Sequence, residues 1–125
     1  MPQEAVGSSP TRRTAGPGRP GQVLTHYCIV RADLPRGVLA AQLIHAAGES
    51  APGGLGSGTR AVALAARDEA HLRVIERRLQ GLDIDHRAIR EPDPPWGGAL
   101  MAIGLAPVLD RTQVRRATRR LPLLS

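Results

Sequence analysis

The regular change between two apolar periodicities after residue 22 constrains the fold of this chain more than any other feature. Short runs of continuous or alternating apolar residues predict β-strands, whereas apolar residues at i, i+3 and i+7 predict helices buried on one side. These patterns predict strands at 23–30, 60–66, 83–89 and 100–105, and helices at 35–47, 68–81 and 108–121. The chain therefore alternates strand, helix, strand, helix, two strands and helix.

This order of elements predicts one α/β domain. Two strands joined through a helix normally form a right-handed parallel crossover, whereas adjacent strands joined by a loop can pair antiparallel. We therefore expect a three-layer sandwich in which a four-stranded mixed sheet carries helices on both faces. Residues 1–22 are rich in Gly, Pro, Ser, Thr and Arg without apolar periodicity, so they are predicted to be a disordered tail before a domain at 23–125.

All 17 basic residues are arginine, because the chain contains no lysine. This composition excludes a lysine general base and Schiff-base chemistry. The net charge of +6 favours a polyanionic partner such as RNA, although an arginine-biased, GC-rich genome explains the charge equally well. Only Tyr27 and Trp96 could stack on bases, so contact with phosphate and sugar is a better prediction than readout of a base sequence.

Several classes of protein are disfavoured by the same sequence. The single cysteine, Cys28, cannot form an internal disulfide, which is typical of a reducing compartment. No apolar run approaches the roughly 20 residues of a membrane-spanning helix, and no signal peptide is recognisable, so we expect a cytoplasmic protein without membrane contact. The four histidines lack close metal-ligand spacing, and the glycines at 53–58 fit no dinucleotide or phosphate-binding loop. Neither a metal nor a cofactor is predicted.

A polar stripe on the first predicted helix is the best candidate for a site. One side of this helix, next to an apolar stripe that faces the core, carries Val38, Gln42, His45 and Glu49. The stripe lies close to the helix N-terminus, whose free N–H groups suit a phosphate or a developing oxyanion. His45 could polarise a water and Gln42 could orient a carbonyl, but a structural histidine and a surface amide are equally ordinary explanations.

Three carboxylates lie in loops that could approach this helix. Asp33 is in the turn before the helix, where it could act in catalysis or hold the turn through backbone hydrogen bonds. Glu91 or Asp93, in the Pro-rich loop 91–98, could be the general base for a hydrolytic water. Such loops also carry carboxylates that have no chemical role.

The same residues carry a resemblance to a known family. The pattern V-R-x-D-L at 30–34, followed by G-x-x-A-A-Q-x-x-H-A-A at 37–47, resembles the first strand and helix of the type 2 peptidyl-tRNA hydrolases. Ala102-Ile103-Gly104 with Pro107 resembles their last strand and its exit, so the resemblance covers about residues 24–122. It implies an α/β sandwich, often dimeric, that hydrolyses the ester between a peptide and the 3′-terminal ribose of tRNA.

The resemblance also implies roles for individual residues. A site for ester hydrolysis would contain His45, Gln42 and an acidic loop residue, Glu91 or Asp93. The acceptor end of tRNA would be held by the turn, the first helix and arginines of the last helix, namely Asp33, Arg36, Gly37, Arg115, Arg116 and Arg119. The expected partners are accordingly tRNA and, because family members are often dimeric, a second copy of the chain.

The sequence departs from the family where catalysis is concerned. Val38 stands at the position of the family's lysine, and the turn between Asp33 and Gly37 is shorter. Segment 91–96 stands where the family carries an Asp and a G-x-T-Q-type segment before the last strand. In these respects the chain is similar to the branch known as peptidyl-tRNA hydrolase domain-containing proteins. An ester hydrolase is the first hypothesis, a non-catalytic tRNA- or RNA-binding module is the second, and a protein-interaction or small-ligand domain is the third.

Overall fold

The computed structural model of the chain describes residues 23–125 and has the predicted α/β architecture. The predicted tail at 1–22 lies outside the described residues. The elements follow one another as β1 (Thr25–Arg31), α1 (Arg36–Ser50), β2 (Arg60–Ala66), α2 (Glu69–Gly81), β3 (His86–Glu91), β4 (Ala99–Leu105) and α3 (Thr112–Thr118). The predicted order of strands and helices is therefore confirmed.

The four strands form one mixed sheet with the order β2-β1-β4-β3. Strands β1 and β2 pair in parallel across the α1 crossover, and β4 pairs antiparallel with both β1 and β3. Because β4 runs opposite to both neighbours, β1, β2 and β3 all end at the same edge of the sheet, with Arg31, Ala66 and Glu91 respectively. We call this the carboxyl edge. Helices α1 and α2 both begin there.

Each face of the sheet is covered by its own apolar core. On one face, Ile29 and Ile103 pack with residues of α2 and α3. On the other face, Val30 and Met101 pack with residues of α1 and with Trp96. Neighbouring residues of β1 alternate between the two cores because successive side chains of a strand point to opposite faces. The sheet is therefore the middle layer of a three-layer sandwich.

The last turn of α1 lies very close to the sheet. A Cβ atom at Gly104 of β4 would lie 2.8 Å from Cβ of Ser50 and would also overlap the carbonyl oxygen of Ala46. Only glycine allows the helix this approach. The prediction that this helix ends at 47 is wrong, since α1 continues through Gly48 to Ser50. Packing of its last turn against β4 offsets the cost of one helical glycine, which is about 1 kcal/mol.

Helix α2 begins where its sequence predicts. The Asp68 carboxylate accepts the backbone N–H of His71 at 2.9 Å, which caps the helix. Leu72, Ile75 and Leu79 form its buried stripe. The local signals for this element, a capping residue and an apolar period, agree with the tertiary structure.

Two other elements differ in length from the prediction. Strand β3 begins at His86 rather than at 83, because Asp83 adopts a left-handed conformation (φ 55°) in the turn after α2. Helix α3 spans only Thr112–Thr118, because Val108 instead pairs with Thr25 beside β1. At these lengths no helix within residues 23–125 is long and apolar enough to cross a membrane.

The residues after α3 lie along the outer side of β2. The N–H of Ala65 donates to the carbonyl of Pro122, and the N–H of Leu124 donates to the carbonyl of Ala63, both at 2.9 Å. These bonds pair backbone groups at the outer edge of the sheet, which would otherwise be open to another strand. Since Pro122 lies opposite Ala65, near the end of β2, the preceding residues 119–121 lie at the carboxyl edge.

Candidate functional site

Gln42 and Glu91 meet at the carboxyl edge although they are 49 residues apart in sequence. Gln42 lies in the second turn of α1, and Glu91 is the last residue of β3. The Nε2 group of Gln42 donates to Oε1 of Glu91 at 3.1 Å. Gln42 is 6% exposed, whereas Glu91 is half-buried. The pair therefore lies between the apolar core under α1 and the surface.

The carbonyl oxygen of Gln42 has no hydrogen-bond donor among the described residues. A buried acceptor without a partner costs about 1–3 kcal/mol, so this atom gains stability from a donor. Because the atom is closed to solvent in the structure, a donor reaches it only when the Gln42 side chain moves outward. The carboxylate of Glu91 cannot be that donor, because an ionised carboxylate only accepts. Gln42 and Glu91 together present two neighbouring acceptors, which suit the two hydrogen atoms of one water molecule.

The hairpin between β3 and β4 holds the other oxygen of Glu91. The backbone N–H of Asp93 donates to Oε2 at 3.2 Å, and the N–H of Gly98 donates to the Glu91 carbonyl at 2.7 Å. Gly97 and Gly98 have φ angles of 54° and 89°, which residues with side chains rarely adopt. Glu91 is thus held on both carboxylate oxygens, by Gln42 and by Asp93, and each oxygen keeps a further lone pair as an acceptor.

Arg31 connects the turn after β1 to the same hairpin. Its Nε and Nη2 groups each lie 3.0 Å from one carboxylate oxygen of Asp33. The guanidinium also donates to the carbonyl of Leu100 at 3.3 Å and lies 5.7 Å from the centre of the Trp96 ring, within the range of a cation–π contact. The hydrogen bond from Arg31 holds the pKa of Asp33 below its ordinary value. Asp33 therefore positions Arg31 and is a poor proton acceptor.

Neither Arg31 nor Trp96 was predicted to be a site residue. Arg31 is buried at the end of an apolar strand, and an acid follows it two positions later. A buried-strand arginine with an acid at i+2 is the local signal that could have indicated this ion pair. The ring of Trp96 comes from a loop distant in sequence, and no local pattern indicates its contact with Arg31.

The first turn of α1 offers free backbone donors beside this region. No side chain caps the helix, and Leu39 is the first residue whose N–H bonds within it. The N–H groups of Arg36, Gly37 and Val38 therefore have no acceptor in the helix. Arg36 and Gly37 are exposed, and Gln42 lies about 8 Å farther along the helix axis. Two of the residues predicted to bind an anion are thus accessible to one.

The side chains of His45 and Asp93 stand apart from the Gln42–Glu91 pair. His45 is exposed on α1, where it lines an open depression with Ile44, and no hydrogen bond within residues 23–125 links it to Gln42 or Glu91. Residues three positions apart lie about 60° apart around a helix, and the boundary between the buried and exposed sides of α1 falls between Gln42 and His45. The prediction that both belong to one polar stripe at the site is therefore wrong. Asp93 is exposed and contributes its backbone N–H to Glu91.

The predicted tRNA-binding arginines of the last helix lie on the other side of the sheet. Arg115, Arg116 and Arg119 are exposed on α3 or just after it. Helix α3 packs with α2, on the face opposite α1. The structure therefore does not bring these arginines beside Gln42, and one RNA molecule would have to pass around the carboxyl edge to touch both regions.

A second polar cluster, near the end of α1, was not predicted. His26 and Ser50 are buried, with Nε2 of His26 2.8 Å from Oγ of Ser50. The Ser50 hydroxyl donates to the carbonyl of Ala46 at 2.6 Å, so it accepts from His26 and is not activated as a nucleophile. Burial lowers the pKa of His26 and raises the pKa of the neighbouring Cys28 thiol to about 11. This cluster is neutral and structural.

The carboxyl edge carries a positioned carboxylate and, at the beginning of α1, free amide donors. Glu91 can accept a proton from a bound water, and the first turn of α1 can bind a phosphate or an oxyanion. Within residues 23–125, no three His, Cys, Asp or Glu side chains lie close enough to hold a metal ion.

Known proteins resemble the chain in fold. No family model and no curated protein matches it. Among solved structures, a protein of unknown function from Agrobacterium tumefaciens strain C58 is similar, with a TM-score of 0.53 and 19% sequence identity. The match covers 82% of this chain and 98% of that chain. At this identity the similarity concerns the fold alone, and the chain shares its α/β architecture with that protein.

Proposed function

We propose that this chain hydrolyses the ester of an N-blocked aminoacyl-tRNA or peptidyl-tRNA, with Glu91 as the general base. The observation that carries the proposal is the pair of acceptors formed by the Glu91 carboxylate and the buried, unpartnered Oε1 of Gln42. Once the Gln42 side chain moves outward and admits solvent, one water molecule can donate a hydrogen to each acceptor. Its oxygen then retains a lone pair for attack on a carbonyl carbon.

The proposed reaction needs only water and the ester. The water oxygen adds to the carbonyl carbon while Glu91 takes one of its protons. The bond between this carbon and the ribose oxygen then breaks, and the proton on Glu91 passes to the ribose oxygen. The products are a peptide carboxylic acid and tRNA with a free terminal hydroxyl, and Glu91 returns to its ionised form. A positioned base of this kind contributes about 10²–10⁴-fold to the rate.

Charge and backbone donors support tRNA as the substrate. The net charge of +6 favours a polyanion, and the free N–H groups of Arg36 and Gly37 offer a place for a phosphate or for the oxyanion of the ester. The half-buried ring of Trp96 offers one surface on which a terminal base could stack. The resemblance of residues 30–47 to type 2 peptidyl-tRNA hydrolases supports the same substrate.

A second candidate function is the binding of tRNA or another RNA without turnover. Two observations favour it. The chain has no lysine, and Val38 stands where the resembling family has one. His45 is exposed and forms no hydrogen bond with Gln42 or Glu91 among the described residues. A domain with these features could keep a basic surface and a helix N-terminus for RNA while lacking an efficient catalytic site.

The test is release of tRNA from N-acetyl-aminoacyl-tRNA by the wild type, Glu91→Gln and the control Glu49→Gln. Glu49 is an exposed carboxylate on the same helix that carries Gln42. We expect the wild type to exceed the uncatalysed rate, Glu91→Gln to lose about 10²–10⁴-fold, and Glu49→Gln to retain the wild-type rate.

Three outcomes would contradict the proposed hydrolysis or the role of Glu91 in it. Equal losses in the two variants would contradict the role of Glu91 as the base. A wild-type protein that binds tRNA with a steep salt dependence, but releases none, would establish the binding module instead. A folded protein that neither binds nor hydrolyses the substrate would contradict both candidate functions.

A further inference from the structure

A cavity of about 510 Å³ lies at the carboxyl edge on the α2 side of the sheet, on the face opposite Gln42. Three parts of the chain line it, namely the end of β2, helix α2 and the segment after α3. Its charged and titratable residues are Arg67, Asp68, His71, Arg78, Arg119 and Arg120. Four arginines therefore line one cavity together with a single carboxylate, and one of them, Arg78, also donates from Nη1 to the carbonyl of Ala117 at 3.5 Å.

The positive charge of this cavity is not neutralised by ion pairs. The four ion pairs within residues 23–125 involve other arginines, at positions 31, 73, 87 and 90. Asp68 already accepts the N–H of His71 as the cap of α2. Like charges held close together repel, so this arrangement gains stability when an anion enters it.

His71 adds a neutral donor to the arginines. Its Nδ1 accepts the backbone N–H of Arg67 at 3.0 Å, so the ring proton is assigned to Nε2. Burial, followed by the charge of Arg67 and of Arg78, lowers the pKa of His71. The ring is therefore neutral near pH 7, and its Nε2–H is free to donate.

The backbone at Arg120 is held in an unfavourable conformation. Its φ angle of 70° lies in the left-handed region, which costs a non-glycine residue about 1–2 kcal/mol. The following N–H, that of Leu121, bonds to the carbonyl of Thr118 at 3.1 Å and closes the turn. Arg119 and Arg120, on either side of this sharp turn, both line the cavity. Strained residues of this kind are frequent where a protein holds a ligand.

We propose that this cavity binds a phosphate monoester attached to a small organic group. Guanidinium groups bind phosphate oxygens through paired N–H donors. Four arginines and one carboxylate leave an excess of positive charge in the lining. A phosphate monoester, with a charge of about −1.5 to −2 near pH 7, neutralises this excess better than a phosphodiester with its single charge. The volume falls in the range that small-molecule ligands occupy, which leaves room for a group beyond the phosphate. The site does not depend on the proposed hydrolysis.

The experiment uses isothermal titration calorimetry on the full chain at low ionic strength. The probes are inorganic phosphate, adenosine 5′-monophosphate, adenosine, and the phosphodiester adenylyl-adenosine. We expect the first two to bind, adenosine not to bind, and the diester to bind at least about tenfold more weakly than the monoester. Glu91→Gln should leave binding of the monoester unchanged, which separates this site from the hydrolytic one.

Charge-matched variants locate the site. The double variant Arg119→Gln/Arg120→Gln should weaken binding of adenosine 5′-monophosphate at least about tenfold, because each of its two substitutions removes a pair of N–H donors. The control Arg60→Gln/Arg77→Gln removes the same charge from exposed positions outside the cavity lining and should change affinity less than about threefold. If Arg119→Gln/Arg120→Gln loses its cooperative thermal transition, Arg67→Gln takes its place. This substitution removes a guanidinium from the cavity lining but keeps the hydrogen bond to His71, which comes from the Arg67 backbone.

The proposal is overturned by any of three results. Equal weakening by the cavity variant and the control would indicate diffuse electrostatic attraction. A diester that binds as tightly as the monoester would indicate a site for a nucleic-acid backbone. Wild-type protein that binds neither phosphate nor adenosine 5′-monophosphate would exclude the site.

Discussion

Helix α1 buries two polar side chains, Gln42 near its beginning and Ser50 at its end, and they differ in what they leave unpaired. The Ser50 hydroxyl donates to Ala46 and accepts from His26, so both of its roles are used. Gln42 donates to Glu91, but its carbonyl oxygen has no donor among the described residues. One helix thus carries a closed polar contact and an open one.

The residues opposite each side chain explain the difference. Gly104 has no side chain, so the end of α1 contacts β4 directly, and the Ser50 hydroxyl lies within hydrogen-bond distance of both Ala46 and His26. At the carboxyl edge, Gln42 instead faces the half-buried carboxylate of Glu91. A closed polar contact between neutral groups stabilises one packing arrangement. An unpaired acceptor next to a carboxylate favours a rearrangement that admits water or a ligand. The following predictions test this distinction.

Gly104→Ala should have the largest effect on stability, because the added methyl group pushes the end of α1 away from β4. The added Cβ would overlap Ala46 and Ser50, so the helix must move away from the sheet. We expect the free energy of unfolding in urea to fall by about 3 kcal/mol. Gly56→Ala is the control, since a Cβ there meets no atom within 4 Å. Equal stability of the two variants would show that α1 does not depend on this approach.

Ser50→Ala and Gln42→Leu should separate stability from function. Ser50→Ala leaves buried His26 without its acceptor and should cost about 2 kcal/mol in the free energy of unfolding. Gln42→Leu removes one hydrogen bond together with an unpaired buried carbonyl, so stability should change by less than about 1 kcal/mol while ester hydrolysis is lost. The distinction between the two contacts fails if Gln42→Leu is as destabilising as Ser50→Ala.

The closed contact should also make stability depend on pH. Burial lowers the pKa of His26 below its ordinary 6.5, so below that pH the unfolded chain binds a proton that the folded chain does not. Stability should therefore decrease as pH falls from about 6.5, by up to about 1.4 kcal/mol per pH unit for one proton. The pKa of Asp33, lowered from 3.8, contributes only at more acidic pH.

Urea unfolding at pH 7, 6 and 5 measures this slope. His26→Gln should reduce it. His71→Gln is the second arm, because the pKa of His71 is also lowered and acts with the same sign. An unchanged slope in His26→Gln would show that His26 is not the residue responsible.

Val38→Lys should have the smallest effect and concerns the open contact. Val38 is half-buried in the first turn of α1, one turn before Gln42. An ammonium there could stabilise negative charge on the ester oxygen, and a barrier lowered by about 1.4 kcal/mol gives roughly a tenfold higher rate. Val38→Met is the neutral control, and hydrolysis of N-acetyl-aminoacyl-tRNA is the measurement. A folded Val38→Lys protein that binds tRNA without any gain would favour the non-catalytic function.

Local patterns were sufficient for the fold class and for several individual residues. The periodicity of residues 60–66 and the Asp68 cap predicted β2 and the start of α2 as they are found. Gln42 and Glu91 were each singled out as polar residues near a helix N-terminus and in a conspicuous loop. They were also placed together in one hypothetical site, with Asp93 as the alternative to Glu91. Their hydrogen bond was not predicted, because a bond across 49 residues depends on how the strands are ordered in the sheet.

The sequence by itself determined the alternation of strands and helices, because apolar period and capping act between residues a few positions apart. The tertiary structure alone decided that α1 continues past Gly48, because the gain lies in its packing against Gly104 on a distant strand. It also decided that Gln42 faces inward while His45 faces solvent. The arginine cavity likewise exists only in the folded chain, since three separate segments supply its charges and no local period brings them together.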